Sequence, residues 1–276
     1  MAEPNFIPPA QVSKNLCNVG VAKAGLPTGK MILLGLLAGI YIGFAAHLAT
    51  TVATGWDIGG AAALFGLKKF FVGAVFSVGL MLVIIPGSEL FTGNCLMTVA
   101  LLDKKIGFGG MMRNWTIVWI ANLVGSIFLA WLIASMSGLN AGKVGVTAMA
   151  IANGKCGLSP VAMIVRGALA NWLVCLAVMM ALSAQDIAGK VLAIFFPIMA
   201  FVTSGYEHSI ANMYFIPAGL FTKALGSQAD AISAFANLTM SGATTNILLV
   251  TLGNIIGGGI FVGVIYYMIF VKGSDK

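Results

Sequence analysis

Two short polar stretches interrupt long apolar segments: Pro86-Gly-Ser-Glu-Leu-Phe-Thr-Gly-Asn94 and Ser204-Gly-Tyr-Glu-His-Ser-Ile-Ala-Asn212. The pattern G-x-E-x-x-x-x-N occurs in both, through Gly87, Glu89 and Asn94 and through Gly205, Glu207 and Asn212. Proline lacks the backbone N–H and glycine tolerates unusual dihedral angles, so a break between two half-helices is predicted at residues 86–89 and another at residues 203–208. Unpaired backbone is too costly to face lipid, so each break must be buried in protein or line a wet cavity.

The composition predicts that most of the protein's surface faces lipid. Of the 276 residues, 59% are hydrophobic and 8% are charged, and the mean hydropathy is +1.00. Soluble domains carry roughly a quarter charged residues. The net charge of +7 does not indicate nucleic-acid binding, because lysine and arginine cluster between the apolar runs, where they act as topology signals.

Six membrane spans are predicted, since a helix needs about 20 apolar residues to cross the hydrocarbon core. Four segments are uninterrupted, at residues 31–56, 115–136, 167–185 and 246–271. The second and fifth spans, at 70–102 and 191–222, contain the two breaks. Residues 9–24 precede the first span, and their apolar residues recur at helical spacing, which predicts a short amphipathic helix at the membrane surface.

The matching breaks predict an internal repeat. Residues 31–136 and 159–271 each form a unit of three spans with the broken span second. A three-span unit enters on one side and leaves on the other, so the copies must be inverted, as in many transporters. The predicted fold is therefore an all-α membrane protein of six helices in two inverted three-helix repeats. It comprises a surface segment, 1–30, and a channel domain, 31–276. The excess of lysine and arginine on one side predicts both termini in the cytoplasm.

Several motifs together resemble the formate/nitrite transporter family, and the resemblance covers nearly the whole chain. They are Gly87-Ser-Glu-Leu-Phe-Thr-Gly93, Arg113-Asn-Trp115, Asn171-Trp-Leu-Val-Cys-Leu-Ala177, Ser204-Gly-Tyr-Glu-His-Ser-Ile-Ala-Asn-Met213 and Thr251-Leu-Gly-Asn254. The resemblance implies an aquaporin-like fold, an inner-membrane location and a homopentamer with one pore in each protomer. No NPA motif is present, so a true aquaporin is not indicated.

The resemblance also implies roles for individual residues. Phe76 and Phe201 would form an outer constriction, and Leu80 and Leu90 an inner one. His208 would face Thr92 between them, and Lys155 would lie in the outer half of the pore. The residues expected to support this site are Glu207, Asn171, Asn254, Glu89 and Asn212. No cofactor, metal or catalytic residue is implied.

The residue types lead to their own expectations. An ionisable side chain within a span is costly, which makes His208 a functional candidate by default. The two glutamates would repel an anion, so each is expected to accept hydrogen bonds from backbone N–H groups freed at its own break. Residues 137–159 are expected to be a loop, in which Lys155 raises the local concentration of anions. For Arg166, both a lipid-directed and a cavity-lining side chain remain open.

The predicted function is passage of a small monovalent anion of a weak acid through a membrane, with formate favoured. Nitrite and hydrosulfide are alternatives within the same family, and lactate is also possible. The anion would cross either as an ion or, after taking a proton at His208, as the neutral acid. A non-transporting scaffold is one different class. An intramembrane enzyme using His208 and Glu207 is another, disfavoured because adjacent helical residues point about 100° apart.

Overall fold

The computed structural model describes residues 6–56, 64–226 and 234–273. This part of the chain is helical, and its only extended pairing is an isolated antiparallel bridge between Phe6 and Ala184. Six helical segments are long and apolar enough to cross a membrane: Thr28–Ala53, Phe65–Ile84, Phe108–Met136, Pro160–Ser183, Ile187–Ser204 and Met240–Val271. The prediction of a six-span, all-α membrane protein is confirmed.

The helices are numbered here in chain order. They are α1 Pro9–Ala24, α2 Thr28–Ala53, α3 Phe65–Phe76, α4 Val78–Ile84, α5 Phe91–Asn94, α6 Met97–Leu102, α7 Phe108–Trp131, α8 Gly142–Cys156, α9 Pro160–Ser183, α10 Ile187–Ser204, α11 Ser209–Ala224 and α12 Met240–Ile255. The third span continues from α7 as a π-helix, Leu132–Met136, and the sixth continues from α12 through π-helical Ile256–Val264 and Tyr267–Val271.

The four uninterrupted spans all begin earlier than the charge-free windows predicted. The third begins at Phe108 and the fourth at Pro160, so each of these two includes an arginine in its first turns. Arg113 donates hydrogen bonds to the Leu26 carbonyl at 3.2 Å and to Thr28 Oγ1 at 2.7 Å. A charged side chain therefore need not end a membrane helix when it can reach polar partners.

Both helix breaks lie where the sequence predicts them. The first occupies residues 85–90, between α4 and α5, and the second occupies 205–208, between α10 and α11. Gly87 (φ +92°) and Gly205 (φ +79°) adopt left-handed backbone conformations that L side chains rarely adopt. Thr203 and Ser204, placed by the sequence in the second break, are still helical.

The sequence suggested a loop at residues 137–159, but this segment contains the helix α8. This helix buries Ala148, Met149 and Ala152 and packs against α11. It was missed because a search for spans of about 20 apolar residues passes over a shorter helix that does not cross the membrane. Helix α1 has the predicted bounds and packs against α6, as α8 packs against α11. The two short helices therefore cover the second halves of the two broken spans.

The spans pack closely through small residues. An added Cβ at Gly125 would collide with the Leu36 carbonyl of α2, and one at Gly257 would collide with the Ala168 carbonyl of α9. Such close approach of backbones is typical of membrane helices, where small residues favour association. Because α2 with α7, and α9 with the π-helical part of the sixth span, make the same kind of contact, the two halves of the molecule present their broken spans from matching frameworks.

Candidate functional site

The four predicted constriction residues and His208 meet around one small void at the centre of the molecule. Phe76, Leu80, Leu90, Phe201 and His208 line this central void, whose volume is about 10 Å³. That is close to the smallest space that holds one water molecule, roughly 10–15 Å³. The void is completed by apolar side chains from the first, fourth and fifth spans, which are Ile42, Val174 and Ile198.

A cavity lies on each side of the central void. The larger, of about 650 Å³, is here called the α8 cavity and shares Phe76, Phe201 and His208 with the void. The smaller, of about 260 Å³, is called the α1 cavity and shares Leu80 and Leu90 with it. The protomer thus contains two wide cavities separated by one narrow, mainly apolar passage.

Thr92 and His208 form a buried pair beside this passage. Thr92 Oγ1 and His208 Nε2 are 2.9 Å apart, and both residues are at most 3% exposed. His208 is the N-cap of α11, where its Nδ1 accepts a hydrogen bond from the Ala211 N–H at 3.1 Å. In a neutral imidazole one nitrogen accepts and the other donates, so the ring proton is assigned to Nε2, which donates to Thr92.

Glu207, at the second break, is buried in a polar network. Its carboxylate accepts from Lys155 Nζ at 3.0 and 3.1 Å and from Asn212 Nδ2 at 2.6 Å. Asn212 also donates to Asn246 Oδ1 at 2.7 Å, and Asn246 donates to the Lys155 carbonyl at 2.8 Å. The network ties α8 to the break and to α12.

Glu89, at the first break, has an equivalent network. It accepts from Lys23 Nζ at 2.6 Å and from Asn94 Nδ2 at 2.7 Å. Asn94 donates to Asn114 Oδ1 at 2.8 Å, and Asn114 donates to the Lys23 carbonyl at 3.2 Å. Here α1 takes the place of α8, and α7 that of α12.

The expectation that the glutamates accept from backbone N–H groups freed at their breaks is wrong. The first N–H of α5, on Phe91, donates instead to Asn122 Oδ1 at 2.9 Å, and that of α11, on Ser209, donates to Asn254 Oδ1 at 2.8 Å. A neutral amide suffices for a buried N–H, whereas a buried carboxylate needs an opposite charge. The lysines supply that charge.

Asn171 supports the Thr92 side of the pair. Its Nδ2 donates to the Thr92 carbonyl at 3.1 Å and to the Asn254 carbonyl at 2.7 Å, and the residue is fully buried. Asn254 in turn donates to the carbonyls of Gly167 and Glu207 at 2.7 and 3.1 Å. These two asparagines connect the two breaks across the interior.

Lys155 lines the α8 cavity as half of an ion pair rather than as an isolated charge. Its side chain is 15% exposed, and its ammonium group lies 5.2 Å from the centre of the Phe215 ring. Its charge is therefore balanced locally by Glu207. The side chain of Arg166, left open by the sequence, lines the same cavity.

Sequence reasoning missed three members of the networks, which are Lys23, Asn114 and Asn246. Lys23 was read only as a topology signal, and the two asparagines were not singled out. A signal was present: Lys23 and Lys155, Asn114 and Asn246, and Asn122 and Asn254 are separated by the same number of residues. Among the described residues, no group of three His, Cys, Asp or Glu side chains could hold a metal ion.

Comparisons with known proteins agree with this architecture. The model of the formate/nitrite transporter family matches residues 10–268. A probable formate transporter of Methanothermobacter thermautotrophicus is 43% identical, over 97% of this chain and 98% of its own. The formate channel FocA of Escherichia coli K12 is 36% identical, over 97% of this chain and 95% of its own.

The solved structures include a similar protein described as a pentameric formate channel with formate bound. It matches with a TM-score of 0.78 and 37% identity, over 89% of this chain and 98% of that one. The fold and site define a multi-pass membrane protein with a narrow interior passage. The chain belongs to the formate/nitrite transporter family.

Proposed function

We propose that each protomer conducts a small monovalent anion, formate in the first place, between the α8 cavity and the α1 cavity. The observation that carries the proposal is the hydrogen-bonded pair of Thr92 and His208 beside a void that separates two cavities. Formate is preferred because the similar proteins named above are described as formate transporters or channels. Nitrite and hydrosulfide remain alternatives within the family.

In the proposed path, an anion leaving the α8 cavity loses water at Phe76 and Phe201. Apolar constrictions impose that loss and exclude large or divalent ions. The His208 Nε2–H group and the Thr92 hydroxyl then replace the lost water as hydrogen-bond donors. Leu80 and Leu90 form the second constriction before the α1 cavity.

Of the two mechanisms left open by the sequence, the geometry favours hydrogen-bond donation by a neutral His208 over proton transfer from it. Nδ1 accepts from the Ala211 N–H group, so an imidazolium would have to break the cap of α11 and direct two donors at one another. A neutral imidazole keeps this cap and still presents one N–H to the passage. The anion then crosses as an ion.

The proposal is tested by flux into sealed proteoliposomes, with formate, nitrite, hydrosulfide, lactate and chloride compared at two pH values. We expect formate to pass fastest and chloride poorly. Equal passage of chloride, or no flux of any anion, would disprove the proposed channel. Fastest passage of nitrite or hydrosulfide would move the substrate assignment to that anion.

His208→Asn separates the proposed pore role from the structural one. Asparagine is a good N-cap, so the variant keeps the cap of α11, and its shorter side chain places no N–H at the position of Nε2. We expect formate flux to fall roughly tenfold or more, because the variant loses one hydrogen bond to a charged group, the passing anion. His208→Phe removes both functions and should also lower thermal stability, by about 1 kcal/mol for the lost cap. Unchanged flux in His208→Asn would remove His208 from the mechanism.

The remaining elements of the proposal concern assembly and placement. We propose a homopentamer in the inner membrane with both termini in the cytoplasm, a surface segment 1–30 before the channel domain, and transport without catalysis. The pentamer is supported by the similar structure described as pentameric. A native mass spectrum from mild detergent should give a five-subunit mass, and a stable monomer or tetramer would contradict it.

A further inference from the structure

The α8 cavity carries more positive charge than its ion pair explains. Besides Lys155, it is lined by Lys68 and Lys69 from the start of the second span and by Arg166 from the fourth. Lys69 interacts electrostatically with all three of these cations and with Glu207. Its ammonium group also lies close to the second break, 3.4 Å from where a side chain on Gly205 would begin.

Among the residues that the structure describes, three of these four cations form no ion pair. Within the described residues, the only ion pairs join Lys23 to Glu89, Lys105 to Asp103 and Lys155 to Glu207. The Glu207 carboxylate is already occupied by Lys155 and Asn212. Lys68, Lys69 and Arg166 therefore line a cavity of about 650 Å³ without an ion-pair partner in the described part of the chain. Clefts of one charge with walls of low dielectric concentrate counter-ions.

The α1 cavity is different in this respect. Its lining contains two cations, Lys23 and Lys190, and Lys23 is paired with Glu89. Among the described residues, a single lysine thus remains without an ion pair there, in a cavity of about 260 Å³. The excess of positive charge is therefore larger on the α8 side of the passage.

We propose that Lys69 and Arg166, assisted by Lys68, form a binding site for a dianionic tetrahedral oxyanion such as sulfate or hydrogen phosphate. The planar guanidinium matches two oxygens of such an ion, and the ammonium groups supply point charges. Three cations suit a dianion better than a monovalent ion, which needs only one.

A dianion in this site cannot continue through the protein. The central void measures about 10 Å³ and is lined mainly by apolar side chains, which a doubly charged ion would have to enter without its water. The bound dianion therefore occupies the entrance and inhibits passage from the α8 side. This inhibition rests on the proposed function, whereas the binding itself does not.

Binding is tested by calorimetric titration of sodium sulfate into the full-length protein in detergent, at constant ionic strength maintained with sodium chloride. We expect saturable binding of one sulfate per protomer. Arg166→Gln and Lys69→Gln should each weaken it roughly tenfold or more, for loss of one charge-assisted contact. Lys143→Gln removes the same charge from an exposed position of α8 outside the cavity and should bind like the parent.

Arg166→Lys keeps the positive charge and should bind sulfate more tightly than Arg166→Gln. That order would show that the weaker binding of Arg166→Gln comes from the lost charge and not from misfolding. Absence of saturable binding in the parent would overturn the proposal, and so would equal affinities in the parent, Arg166→Gln and Lys69→Gln.

Inhibition is tested in proteoliposomes of one orientation, with sulfate added to one side at a time. Formate flux should fall only when sulfate reaches the α8 cavity, and inhibition should weaken in Arg166→Gln but not in Lys143→Gln. Equal inhibition from both sides would overturn the one-sided site. Sulfate binding without any formate flux would disprove the channel and leave the site standing, whereas formate flux without sulfate binding would disprove the site alone.

Discussion

The two helix breaks have nearly identical supports and different side chains at the passage. In each break a buried glutamate pairs with a lysine of a short covering helix, and two asparagines complete the network. The residue that follows the glutamate is Leu90 in the first break and His208 in the second. The comparison shows that the support is duplicated while the chemistry at the centre belongs to one half.

The physical reason lies in the helices that follow the breaks. His208 caps the sixteen-residue helix α11 with its own Nδ1, which leaves Nε2 to contact Thr92 Oγ1. Leu90 precedes the four-residue helix α5 and has no capping side chain, so it presents only apolar surface. One break therefore places an imidazole at the central void and the other an aliphatic side chain.

The largest expected difference between the two breaks is in stability. Lys155→Met leaves Glu207 buried without a counter-charge and should cost about 3–5 kcal/mol. Lys23→Met should cost clearly less, because the Lys23 side chain is 23% exposed against 15% for Lys155, so water reaches the unpaired Glu89 more readily. Thermal unfolding in detergent, followed by circular dichroism, measures both.

Removing the other partner as well provides the control. The double variant Lys155→Met with Glu207→Gln removes both charges of the pair, so no buried carboxylate is left without its partner. Part of the stability lost in Lys155→Met should therefore return. Equal losses for Lys23→Met and Lys155→Met would show that the two networks contribute alike despite their different exposure.

The next largest difference concerns size selection at the first break. Leu90→Ala removes apolar bulk from the central void and should admit a larger monocarboxylate, raising the lactate-to-formate flux ratio roughly tenfold. Liposome flux of both ions measures the ratio. Ile247→Ala, which removes a buried side chain of the sixth span away from the void, should leave it unchanged. A ratio unaffected by Leu90→Ala would mean that Leu90 does not limit the passage.

The smallest expected effect distinguishes the two covering helices. Burial raises the pKa of Cys156, in α8, to about 11, so little of it is thiolate at neutral pH. Because the thiolate is the reactive form, maleimide labelling should be slow at pH 7 and rise about tenfold per pH unit up to pH 10. Cys17, in α1, is 3% exposed and should label less.

Cys156→Ser is the matched control and should abolish the pH-dependent labelling. A membrane-impermeant maleimide applied to intact vesicles then reports on which side α8 lies. A labelling rate that does not change with pH would contradict the raised pKa of Cys156.

Much of the fold was predictable because it depends on local composition. The cost of burying polar groups in lipid accounts for the six apolar spans, two of which are interrupted. The helix over residues 9–24 was predictable from the helical spacing of its apolar residues. Helix α8 was not predictable by that reasoning, since a short helix that does not cross the membrane leaves no long apolar run.

The candidate site was only partly accessible from the sequence. Glu89, Glu207, Asn94 and Asn212 are marked by their repeated spacing within two short motifs. Their lysine partners lie far from them along the chain: Lys23 is 66 residues from Glu89, and Lys155 is 52 from Glu207. No local pattern specifies such a pairing, so the partners of the buried carboxylates were assigned incorrectly to the backbone.

The sequence by itself determined the class of protein, the number of spans and the position of each break, because lipid tolerates few solutions for a polar backbone. Only the tertiary structure decided which lysine neutralises which glutamate, that Nε2 of His208 faces Thr92, and that Lys68, Lys69 and Arg166 line one cavity. Those relations depend on distances between segments remote in sequence, which are set by how the helices pack.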